Sequence, residues 1–241
     1  AGNEIMVPFG GGMVIADELV MTAVNGISRF CNICFNMQVS KLEVTNTNNG
    51  VELNNTGDVI LADLSGSGHS VLNTNGGLDF ENLGSITVND QITTGKKVFL
   101  NAIGATSDIL VNADITGGVL FVSLSAGRDI TQAAGTTINT NGTPLFLTAA
   151  NDVTVGQVTA STIVVTADGL AVDAAAVPVF DPATSVNTIA ANITGAGNPF
   201  SFSSAGTFDV GTVGTIVGIT TVNGDVTLTS TAGAITQSAP I

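Results

Sequence analysis

Five stretches of the chain share one pattern: Val98-Phe-Leu-Asn-Ala102, Val122-Ser-Leu-Ser-Ala126, Leu145-Phe-Leu-Thr-Ala149, Ile163-Val-Val-Thr-Ala167 and Val226-Thr-Leu-Thr-Ser230. Each reads apolar, any residue, apolar, polar, small. Apolar residues at every second position turn one face of an extended strand toward a core. Phe200-Ser-Phe202, Leu78-Asp-Phe80 and Val59-Ile-Leu61 fit more loosely. The first apolar residues stand at positions 59, 78, 98, 122, 145, 163, 200 and 226. The steps run from 18 to 26 residues, apart from one of 37 that reads as two units. A degenerate unit around 177–180 fills that gap, and Pro178 and Pro182 predict a loop or bulge there.

A second short strand follows the first in most units, as in Ser107-Asp-Ile109, Arg128-Asp-Ile130, Asn151-Asp-Val153, Phe208-Asp-Val210 and Gly233-Ala-Ile235. Small residues such as Ala126-Gly127 and Ala149-Ala150 separate the two as corners. A third strand precedes the next unit, for example at Thr137-Ile138. Such a unit is one coil of a solenoid. A single coil cannot bury its apolar face, but stacked coils build a continuous core with like residues above like. The expected fold is therefore all-β, a parallel β-helix (β-solenoid) with coils of roughly 18–26 residues. About nine coils at 4.8 Å spacing predict a rod of roughly 40 Å. A β-sandwich also gives alternating strands, but it does not predict the same corner residues in every unit. No segment sustains a helical period with caps.

The texture changes near residue 40. All four Met, both Cys and the run Gly10-Gly11-Gly12 precede it, while Thr, Asn, Val and Gly dominate after it. Residues 1–40 read as a cap or assembly segment, and 41–241 as solenoid repeats with an irregular loop around 173–200. The chain stops right after a good repeat, at Gln237-Ser-Ala-Pro-Ile241. An uncapped coil exposes an unpaired strand edge. The expected partners are therefore other copies of the chain, or neighbouring repeats of a longer one.

Composition narrows the function classes. Net charge is −14, with five Lys and Arg against 19 acidic residues. Phosphate backbones need clustered cations, so no nucleic acid is expected. No stretch is long and apolar enough to be inserted in a bilayer as a helix. Charged residues are 10% of the chain, so Thr, Ser and Asn must solvate its surface. Few Lys with much Thr and Asn suits a secreted bacterial protein.

Candidate chemistry is sparse. Cys31-Asn-Ile-Cys34 could be a redox motif or half a metal site. The first needs a βαβ context, which is not visible. The second needs further ligands, and His69 is the remaining residue of the usual types. The plainer alternatives are small buried residues or one local disulfide. Asp precedes Val or Ile repeatedly, and Asp108, Asp129, Asp152 and Asp209 are expected at one corner of their units. Stacking would bring these carboxylates together, where calcium would offset their repulsion. The alternative is that each Asp caps its own turn and stays solvated. Ser65-Gly-Ser-Gly-His-Ser70 is expected to be a Gly/Ser loop rather than a nucleophile and its base. Acid pairs or an acid beside a cation could serve glycoside chemistry, but with two Arg, no Trp and no Tyr the expectation is no enzyme. The Asn tracts, Asn46-Thr-Asn-Asn49, Asn54-Asn55, Asn73-Thr-Asn75 and Asn139-Thr-Asn141, suit turns and Asn ladders between coils.

Two units, Val122-Ser-Leu-Ser-Ala-Gly-Arg-Asp-Ile-Thr-Gln132 and Val226-Thr-Leu-Thr-Ser-Thr-Ala-Gly-Ala-Ile-Thr-Gln237, resemble the haemagglutinin-type repeats of large secreted bacterial adhesins. Filamentous haemagglutinin-like and autotransporter passenger proteins are similar over about residues 57–237. The resemblance implies a right-handed coil, export to the cell surface or beyond, and attachment to a host or matrix surface. The family's N-terminal secretion signature is not found in residues 1–40. Two functions follow as expectations. One is an adhesive rod displaying loops, with 173–200 as the loop of first interest. The other is a structural subunit stacking end to end into an extracellular fibre or sheath.

Overall fold

The computed structural model describes residues 12–27, 35–168 and 185–241. Parallel coils stack into a β-solenoid of about nine turns. One 21-stranded sheet system winds through the stack, and among the described residues only a small hairpin, Thr212–Val213 with Ile216–Val217, is antiparallel. Hydrogen-bonded partners in successive coils lie 18 to 28 residues apart along the chain.

Three stacks of strands carry the core. In the first, Val51, Leu78, Val98, Val122, Leu145, Ile163 and Ile189 lie in register, one per coil. In the second, Val59, Ile86, Ile109, Ile130 and Val153 do the same. The third contains Val71, Ile92, Ile115, Ile138 and Val158. Nearly all are sealed from solvent, as are the inward residues two positions further on, such as Leu100, Leu124 and Leu147. Burying each such side chain contributes about 1.5–3 kcal/mol. A lone coil has no second apolar surface to meet, so this gain exists only in the stack.

The first stack differs from the expected alignment at both ends. The repeat spacing aligns Val59 with Leu78, but Val51 lies beneath Leu78 and Val59 belongs to the second stack. Two sides of each coil carry an apolar-any-apolar triplet, so the motif alone does not say which side it occupies. At the other end, Ile163 pairs with Ile189 in a single step, and Phe200 pairs with Val226. Residues 185–196, expected to be irregular, form a strand, Ser185–Ala196, paired with Gln157–Ala167. Its inward positions include Ala190 and Ala191, too small to stand out in an apolar pattern. The expected unit at 177–180 lies outside the described residues.

The change of texture at residue 40 falls inside a strand, Phe35–Asn48, which runs through it unbroken. Met13–Ala23 pairs with that strand in parallel, and Lys41 Nζ donates to Glu18 Oε1 at 2.8 Å. The coil requires alternation rather than particular residue types, and Met37 and Val39 supply it as well as Val and Leu do elsewhere.

Corners are tight where backbone passes over backbone. A Cβ on Gly118 would sit 1.9 Å from the Gly95 carbonyl oxygen, and one on Gly95 would sit 2.2 Å from that of Thr74. Asn residues hold other corners. The non-glycine residues with positive φ among those described are Asn49, Asn141 and Asn223, and Asn tolerates this region better than most residues. Two buried Asn ladders also form. Asn46 Nδ2 donates to Asn73 Oδ1 at 3.0 Å, and Asn55 Nδ2 donates to Asn82 Oδ1 at 2.9 Å. The second ladder continues upward through Ala102, Ala126 and Ala149, the small position of the repeat.

Candidate functional site

Asp108, Asp129 and Asp152 do stack, each just before an inward Ile or Val of the second stack. Asp58 and Ser85 continue the column downward. Three of the carboxylates reach the next coil. Asp58 Oδ1 accepts the Ser85 N–H at 2.8 Å, Asp108 Oδ1 accepts that of Asp129 at 3.2 Å, and Asp129 Oδ1 accepts that of Asp152 at 3.0 Å. Arg128 Nε donates to Asp108 Oδ1 at 2.8 Å and lies 3.1 Å from Asp129 Oδ2. Asn151 Nδ2 donates to both Asp129 and Asp152. The column is therefore held by N–H groups and one guanidinium. Asp209 is not part of it. It is the middle residue of a strand, Phe208–Val210, and sits in register with Thr188 and Thr236. Its carboxyl is held below the usual range by the hydroxyls of Ser238 and then Thr236. Like the stacked Asp residues it precedes Val or Ile, but Asp209 lies within a strand rather than ending a corner. Among the described residues, no three His, Cys, Asp or Glu side chains come together as a metal site. Cys31 and Cys34 lie outside the described residues.

The most elaborate polar structure is one the sequence did not reveal. Residues 62–68 leave the stack between two strands, Val59–Leu61 and His69–Asn75. Glu43, only 1% exposed, lies beneath this loop. Glu43 Oε2 accepts the N–H groups of Leu64 and Ser65, both at 2.7 Å, and Oε1 accepts the Ser65 hydroxyl at 2.6 Å. Above it, the Asp63 carboxylate accepts N–H groups from Gly66, Ser67 and Gly68 at 2.7–2.8 Å. Asp90 Oδ2 accepts the Asp63 N–H at 2.9 Å. The loop tip, 65–68, is exposed but pinned from below by three carboxylates. The Ser67 hydroxyl bonds to the backbone of His69, not to its ring, so Ser67 and His69 do not form a nucleophile–base pair here. The Gly/Ser loop was legible, but its anchor was not, because Glu43 lies 22 residues from Ser65.

Burial pushes the Glu43 carboxyl up, but the Ser65 hydroxyl, the Leu64 and Ser65 N–H groups and Ser67 outweigh it and hold it below the ordinary value. The linkage has a definite sign. A carboxyl lowered in the folded state contributes stability above its unfolded value, about 4.3, and loses it as pH falls through the folded one. Glu43→Gln should therefore cost about 2 kcal/mol at pH 7. The gap to wild type should shrink as pH falls below about 4. Thermal melts of both proteins from pH 7 to pH 3 measure this. A gap that stays constant with pH would show that the Glu43 charge does not hold the loop.

A second polar cluster lies on the outer side of the first stack. Glu52 and Asp79 are in register on neighbouring coils, and Phe99 follows on the next. Lys97 forms an ion pair with Asp79. Glu52, Asp79 and Lys97, with Lys96, Gly77 and Leu120, line a pocket of about 140 Å³.

Comparison with known proteins returns no matching family model, no matching curated protein and no matching solved structure. What this chain does must be argued from its own geometry.

Proposed function

We propose that this chain is a non-catalytic rod of an extracellular surface, whose coils form a shaft and whose corner loops meet a cell or matrix. The observation that carries this reading is the pinned loop 62–68. No residue of this excursion belongs to the apolar core of the stack. Yet here a buried Glu and two Asp are committed to fixing an exposed Gly/Ser tip in one shape. Fixing a loop before contact lowers the ordering cost of binding. Outward Thr, Ser and Asn side chains give the shaft a polar surface of low charge. The resemblance of residues 122–132 and 226–237 to haemagglutinin-type repeats supports a bacterial surface setting.

Beads coated with the purified chain should attach to cultured epithelial cells or to deposited matrix, and replacing 64–68 by a short Gly-Gly link should reduce attachment at least fivefold. Negative-stain images at rising concentration should show single rods roughly 40 Å long. Coated beads that attach no better than bare ones would refute the displayed-surface reading. Long uniform fibres would favour assembly instead.

A further inference from the structure

We infer that the pocket formed by Glu52, Asp79, Lys96 and Lys97 is a binding site for a neutral, hydroxyl-rich ligand, a saccharide unit of the surface that the rod meets. This inference rests on the displayed-surface reading and names the chemistry of one contact.

The site is unusual for this chain. Five basic residues serve 241 positions, and two of them line one pocket of about 140 Å³. Stacking brings them there: Glu52 and Asp79 come from register, and Lys97 precedes the strand that covers Asp79. Gly77 makes room, because a Cβ there would lie 2.8 Å from Lys97 Cγ. Lys97 is thereby free to lie across to Asp79. Glu52 Oε2 is sealed from solvent and has no hydrogen-bond partner. Leaving a buried acceptor unmet costs about 1–3 kcal/mol. The terminal torsion of a Glu side chain is soft, so a small rotation can offer that oxygen to a donor in the pocket.

Charge decides the ligand class. Two carboxylates and two ammonium groups sum to zero. A simple cation would meet both lysines, and a simple anion both acids. An apolar ligand would strip water from all four groups and return nothing. Hydroxyl groups both donate and accept, so a polyol can serve carboxylate and ammonium together without opening the Lys97–Asp79 pair. The wall is also suited to a sugar's C–H face. Leu120 is 51% exposed and its neighbour Val119 is 72% exposed. Phe99, next in register to Asp79, extends the same outward face.

The test is a titration of the ¹⁵N-labelled chain with neutral trisaccharides of hexose and of N-acetylhexosamine, with glycylglycine as a zwitterionic comparison. The expected result is saturable shifts of the Gly77, Lys96 and Lys97 amides with at least one sugar. Glu52→Ala and Lys96→Ala should each weaken binding at least tenfold, while Glu81→Ala, outside the pocket, should not. Lys96 is exposed, so its variant will fold even if Glu52→Ala does not. No saturable shift with any sugar, shifts centred elsewhere, or shifts with the dipeptide alone would each overturn the inference. The bead assay separates the two proposals. Attachment with a silent pocket refutes this site and leaves the surface reading standing. A sugar-filled pocket on beads that do not attach does the reverse.

Discussion

Gly118→Val is expected to destabilise the protein by about 3 kcal/mol or more and to loosen the coils on both sides of the substitution. The added Cβ would lie 1.9 Å from the Gly95 carbonyl oxygen, 2.0 Å from its carbon and 2.5 Å from the Lys96 nitrogen. All three are backbone atoms of the coil below, so no side chain can swing aside. Relief requires the two coils to part at that corner. The Gly118 N–H donates to the Lys96 carbonyl at 2.6 Å and would be pulled away with it. Gly156→Ala is the matched control, because a Cβ there meets nothing within 4 Å. It should change stability by about 0.5 kcal/mol or less. Urea unfolding followed by circular dichroism compares the three proteins. If Gly118→Val falls within 1 kcal/mol of wild type, close backbone approach is not what fixes glycine at this corner.

Asn73→Leu should cost about 3 kcal/mol, although it adds apolar surface to a buried position. Asn73 is fully buried, donates to the carbonyls of Asn49 and Gly77 at 2.9 Å each, and accepts from Asn46. Leucine would leave the Asn46 amide and the Asn49 carbonyl poorly met, and Asn49 is itself held at positive φ. Asn73→Asp keeps the shape but places a carboxylate against two carbonyl oxygens. Burial and these oxygens would raise its pKa, so its stability should rise as pH falls from 7 to 5. The leucine variant should show no such recovery. Melts at the two pH values distinguish the pair, and equal pH responses would mean that the ladder is not buried as described.

The fold was legible because alternation and small corner residues recur in nearly every coil. Ala102, Ala126 and Ala149 marked the end of one side, and they do stack. The Asn tracts were legible for the same reason, since Asn combines tolerance of positive φ with a side chain that bonds along a stack. Register was harder. Val59 and Val51 are equally good strand starts, and only the length of the following loop decides which lies under Leu78. Ser185–Ala196 was missed because Ala190 and Ala191, two of its buried positions, break the pattern of large apolar residues formed by Val186, Ile189 and Ile193. The polar sites were largely hidden. Glu43 has no sequence motif that tells a buried anchor from a surface acid. Glu52, Asp79 and Lys97 become neighbours only through steps of about one coil each, which vary along the chain. Asp209 shows the converse, a local motif shared with Asp129 but a different place in the coil.

Among the described residues, the strands of the stack find their partners one coil away, never across the whole chain. Chain length therefore leaves loop-closure entropy per contact unchanged. Growth of such a protein resembles one-dimensional crystallisation. Each finished coil is the template for the next, and stability accumulates with the number of layers and their interfaces. A chain delivered end first could order as it arrives, without waiting for its far terminus. Loss of order should likewise start at an exposed end layer and move inward, so that melting erodes the rod before it dissolves it.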